Sequence, residues 1–146
     1  MVDLSDIQNT KFSFEQEMKD EVILKFSNKQ GGDYNVFAYH WQCFAWATII
    51  GFLKDERLPL ESKLADKTFS LNTMNNNDGE KVAHAIICMA IAKAGDLNIL
   101  KKPSEFISLI NEYANGGLHY IYKSLQTNGG SLSNDVEFVK REIFSR

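Results

Sequence analysis

The chain has 146 residues, 44% of them apolar and 12% aromatic, which suffices for one real core and excludes a disordered or low-complexity protein. Its formal charge is −3 and its sequence pI about 5.6, which disfavours a general nucleic-acid coat or a polybasic membrane binder but leaves room for a local basic patch. The two cysteines, Cys43 and Cys88, sit in apolar, helix-like contexts and read as buried thiols of a reducing compartment rather than a disulfide framework.

In chain order, Met1-Val2-Asp3-Leu4-Ser5-Asp6 is acidic and lacks a basic region followed by an apolar run. No secretory signal is expected, and the cytoplasm is the expected location. Residues 1–12 read as a loose arm. Ser13 with Gln16 has capping-box spacing, and a helix is predicted over 14–26. Residues 27–33 read as a turn. The run from Val36 to Leu53 follows, carrying both tryptophans and no formal charge apart from His40. It has apolar residues on every face at helical spacing, the mark of a helix enclosed by protein or lipid. About 20 apolar residues also suffice to cross a bilayer. Two tryptophans, a histidine and a glutamine near the middle argue against a span, since interfacial belts put tryptophan at the ends.

Residues 54–73 form the least regular region, where Leu58-Pro59-Leu60 disfavours helix. Asn77 with Glu80 again has capping-box spacing, opening a helix over 81–94 that Gly95 stops. Lys102-Pro103-Ser104-Glu105 opens the next helix, with proline in its first turn. Asn115-Gly116-Gly117 is expected to break that helix, and Leu118, Ile121, Tyr122 and Leu125 to form another. A last helix is predicted from Asn134. The sum is one all-α domain over 1–146, a bundle of about six helices around a buried aromatic central helix.

Complete catalytic motifs are absent. His40, His84 and His119 lie outside any H-E-x-x-H or C-x-x-C pattern, so no metal or other cofactor is expected. Cys43 is three residues from His40, within reach on one helix, but a nucleophilic thiol needs exposure that this segment does not offer. Gly116-Gly117 and Gly129-Gly130 lack the spacing of a phosphate loop and read as helix stops.

Charge clusters remain. Lys54-Asp55-Glu56-Arg57 projects from the end of the central helix and, with the expected loop carrying Tyr113 and Asn115, is the candidate partner-binding surface. Lys101, Lys102, Lys140 and Arg141 are the candidate nucleic-acid contacts. Solvated faces are the ordinary explanation for such clusters.

Two passages carry a resemblance. The first is the aromatic, alanine-rich helix Phe44-Ala45-Trp46-Ala47-Thr48-Ile49-Ile50-Gly51-Phe52-Leu53, followed by the charged turn and Leu58-Pro59-Leu60. The second is Asp96-Leu97-Asn98-Ile99-Leu100 followed by Glu112-Tyr113-Ala114-Asn115-Gly116-Gly117-Leu118. Over roughly residues 36–125 this pattern resembles the small accessory proteins encoded beside bacterial DNA-phosphorothioation (Dnd-type) modification and restriction systems. The resemblance implies a role in a multi-protein defence system against foreign DNA, acting by binding rather than chemistry, and transfers no catalytic residues. The expected function is therefore a non-catalytic, partner-binding accessory protein. It reaches nucleic acid through an assembly, does not enter a membrane, and has aromatic surface that leaves a homodimer patch open. The alternatives are a small nucleic-acid-binding regulator and an enzyme of unrecognised type.

Overall fold

A computed structural model describes residues 5–27, 37, 39–67 and 69–127. Of the expected turn over 27–33, Ser27 belongs to α3 and the rest lies outside the described residues, as do the start of the central run at Val36, the break at Asn128–Gly130 and the last helix from Asn134. The described architecture is all-α. Its elements are α1 (Ser5–Asn9), α2 (Gln16–Met18), a π-helical turn (Lys19–Ile23), α3 (Leu24–Ser27), α4 (His40–Lys54), α5 (Leu71–Asn75), α6 (Glu80–Ala94), a 3-10 turn (Leu97–Lys101) and α7 (Pro103–Thr127). Among the described residues the only β pairing is an isolated antiparallel bridge between Glu15 and Leu64.

Helix α4 is the predicted spine, starting a little later than expected. The Tyr39 N–H donates to Gln42 Oε1 at 3.1 Å, which supplies an acceptor for a donor at the helix start. At the other end Asp55 adopts a left-handed conformation, φ 54°, and its N–H returns to the carbonyls of Gly51 and Phe52. Lys54 adds a cation where the helix dipole is negative. Between these ends Trp46 is fully buried and Trp41 nearly so. Trp46 packs edge-on against Phe26 at 5.1 Å and tilts against Phe37 at 5.5 Å. Phe44 stacks on Phe12 at 4.9 Å and meets Phe69 edge-on at 5.2 Å.

The expected break at Asn115-Gly116-Gly117 does not occur. Helix α7 runs through it for 25 residues, about 37 Å at 1.5 Å per residue. The glycines serve instead to let backbones touch. A methyl group on Gly117 would overlap the carbonyl of Ala47 in α4, and one on Gly116 the carbonyl of Glu56. Gly51 meets α7 in the same way, since a methyl there would overlap the Tyr113 carbonyl. Gly51 and Gly117 thus set α4 against α7 at van der Waals contact, and Gly116 does the same for the charged turn.

Other starts and stops also differ in part. Residues 5–12, expected as a loose arm, pack down: Ile7 and Phe12 are fully buried. Ser13 does not cap a helix; its N–H donates to Asn111 Oδ1 at 3.0 Å, and the helix begins at Gln16 after Glu15. Asn77 does not cap α6 either. Its Nδ2 donates to the Thr73 carbonyl at 2.6 Å, and Gly79 is the N-cap. Gly95 ends α6 as predicted, at φ 72°, and Pro103 opens α7. The irregular stretch is real: residues 12–16 and 63–69 exchange backbone bonds, with Ala65 N–H on the Phe14 carbonyl at 2.9 Å and Gln16 N–H on the Lys63 carbonyl at 2.8 Å.

Candidate functional site

The charged turn leaves the left-handed end of α4 and lies along α7. Asp55 Oδ1 accepts Lys93 Nζ of α6 at 3.1 Å and the Tyr113 hydroxyl of α7 at 3.3 Å. The Lys93 ammonium first, and the phenol second, hold the Asp55 carboxyl below its ordinary range. Glu56 hydrogen-bonds back to the Gly51 carbonyl at 2.9 Å. Arg57 Nε donates to Glu112 Oε1 at 2.8 Å, with its guanidinium 5.8 Å from the Tyr113 ring centre. Lys54 stands 5.6 Å over the Tyr120 ring. All four side chains of the turn are exposed.

Tyr113 and Asn115, expected on a loop, lie on the buried side of α7. The Tyr113 ring packs on Phe52 at 4.7 Å. Asn115 Nδ2 donates to the carbonyls of Leu58 and Pro59 at 3.3 and 3.2 Å, while its Oδ1 is buried with no hydrogen-bond partner among the described residues. Both residues therefore support the turn and the following strap from beneath. Lys101 and Lys102 are exposed at the 3-10 turn, where Lys102 is 3.9 Å from Glu105, well away from the charged turn in sequence. Lys140 and Arg141 lie outside the described residues.

A polar row on α7 was invisible in the sequence. Asn111, Asn115 and His119 follow at four-residue spacing, so they stand on one face. Each receives an irregular segment that has no sheet to satisfy its backbone. The third member is the most developed. Glu15 is almost fully buried. Its Oε2 accepts the N–H groups of Glu61 and Ser62 at 3.0 and 3.1 Å, and its Oε1 lies 2.7 Å from His119 Nε2. Burial pushes this carboxyl upward, but His119 and the two N–H groups together outweigh it and hold Glu15 below its ordinary value. An ionised carboxylate only accepts, so Nε2 of His119 carries the proton of this pair. The imidazole is 38% exposed and lines a cavity of about 460 Å3 with Glu56, Leu58, Tyr120, Lys123 and Ser124. Pairing across 104 residues leaves no local spacing from which it can be read.

Helix α6 also departs from expectation. It buries only Ala83, Ile86 and Ala90. Val82, Ile87, Met89 and Ile91 are partly covered, and Cys88, expected to be buried, is exposed. Leu53 near the end of α4 and Leu97 in the 3-10 turn are 60% and 58% exposed. Cys43 is fully buried, and burial pushes its thiol far above the ordinary value, which makes it a poor nucleophile. No group of three or more histidine, cysteine or acidic side chains among the described residues forms a metal cluster. No described helix is long and apolar enough to cross a membrane.

Neither curated proteins nor solved structures yield a match. Residues 16–145, nearly the whole chain, match the family described as DNA sulphur modification system-associated protein 4. The chain is thus a member of that family of accessory proteins of a DNA sulphur modification system.

Proposed function

We propose that the protein is a non-catalytic binding component that docks onto a protein of the DNA sulphur modification system. The observation that carries this reading is the incomplete cover of α6 along its flanks. A helix with only three buried side chains leaves isoleucine, valine and methionine partly covered, and the end of α4 and the 3-10 turn each carry a leucine more than half exposed. Apolar surface rimmed by charge is the ordinary anatomy of a protein interface. The rim is the turn Lys54–Arg57, which the Lys93–Asp55 ion pair ties to the end of α6. Tyr113 and Asn115 act in this reading by holding the turn and strap in shape.

The test is affinity purification from the native host with three baits: the wild type, a Lys54→Glu/Arg57→Glu variant, and a Leu53→Ser/Leu97→Ser variant. The wild type is expected to retain a protein component of the sulphur modification system, and each variant to lose at least tenfold of it with little change in melting temperature. Full retention by both variants would discard this surface. Capture of nucleic acid alone, weakening steeply with salt, would favour the regulator reading and the basic residues Lys101 and Lys102.

A further inference from the structure

The cavity beside His119 is not needed for docking through α6, and its lining is not that of a packing defect. We infer that it is a binding site for a small organic phosphate, a nucleoside monophosphate in size and chemistry. The volume of about 460 Å3 falls within the range of small-ligand sites, about 300–1,000 Å3, and an inorganic anion would leave most of it empty. Tyr120 and Leu58 on the lining supply apolar surface for a planar body, with the Lys54 ammonium 5.6 Å from the Tyr120 ring centre. The Lys123 ammonium and the His119 imidazole lie on the same lining, with the Ser124 and Thr127 hydroxyls next to them.

His119 is the informative residue. Its Nε2–H is committed to a buried carboxylate that two backbone N–H groups hold in place. The ring orientation is therefore fixed, as it is for histidines that orient on a carboxylate in metal and catalytic sites. The Lys123 ammonium on the same lining is a charge-assisted donor for a phosphate oxygen. A simple strap between Glu15 and α7 would not require the ring to open onto a cavity. Glu56 on the lining disfavours di- and triphosphates, whose charge it would repel, and suits the hydroxyls of a ribose. Glu56 also belongs to the charged turn, so the site lies next to the proposed docking surface without depending on it.

The test is titration of the full chain with AMP, adenosine and inorganic phosphate separately, followed by calorimetry and by the amide and imidazole resonances of His119, Tyr120 and Lys123. AMP is expected to saturate with shifts confined to these residues, and adenosine and phosphate to bind at least tenfold more weakly. Lys123→Gln, at an exposed position, and His119→Gln, which can still donate to Glu15, are each expected to weaken AMP at least tenfold. Failure of AMP to saturate at millimolar concentration, equal binding by both variants, or equal binding of inorganic phosphate would overturn the assignment. Tighter binding of a 5′-phosphorylated oligonucleotide than of AMP would overturn it in favour of a strand end. The readouts use the isolated chain, so a negative result leaves the docking reading untouched.

Discussion

Helices α4 and α6 are both fifteen residues long and rich in apolar side chains, yet α4 buries eleven of its residues and α6 three. Each also carries one cysteine, fully buried in α4 and exposed in α6. Local sequence accounts for only part of the difference: α4 is apolar on every face, whereas α6 carries Glu80, Lys81, His84 and Lys93. The neighbours account for the rest. Helix α4 is crossed by α7 through glycines and flanked by the aromatic cluster of Phe12, Phe14 and Phe69. Helix α6 rests on the body by a narrow stripe of two alanines and an isoleucine. One helix is a structural spine, and the other has apolar surface left over.

The largest expected effect tests the spine. Trp46→Ala removes a fully buried ring that touches Phe26 and Phe37 and is expected to cost about 3–5 kcal/mol, read by denaturant unfolding. A variant as stable as the wild type would break the contrast at its stronger end. Next comes the crossing itself. Gly117→Ala puts a methyl group against the Ala47 backbone and is expected to cost about 1–3 kcal/mol by overpacking, although alanine is the better helix former. A gain in stability would mean that the two backbones are not in contact.

On α6 the effects should be small. Cys88→Ser is expected to change stability by less than about 0.5 kcal/mol, as exposed substitutions do. In the native protein a thiol reagent is expected to label Cys88 quickly and Cys43 only on unfolding. Rapid modification of Cys43, or slow modification of Cys88, would show that the two helices are covered in the opposite sense.

These contrasts also mark what could be read from the chain. The spine was legible because its apolar residues recur on every face, and Gly95 and Pro103 were legible because they act locally. Gly116 and Gly117 were misread because one residue type serves two purposes: it ends a helix by taking positive φ, or continues it by removing a side chain from a crossing. Only the partner helix decides between them. Exposure of Cys88 follows from its place on α6 nearly opposite the buried stripe Ala83, Ile86 and Ala90; its apolar neighbours in sequence hide this, its helical phase does not. Glu15 with His119 was missed because their meeting depends on how the irregular strap is routed, which no spacing encodes.

That routing has a consequence for how the protein is made. Ser13 and Glu15 obtain partners 98 and 104 residues downstream. At about 5–20 residues per second, the wait on the ribosome is about 5–20 s. For that interval the segment lacks its hold on α7, while its bonds to residues 61–69 and the contacts of Phe12 and Phe14 with Phe44 and Phe69 can already form. Closure of the domain is therefore a late event in biosynthesis, with a slower refolding step than an all-helical chain of local contacts would show.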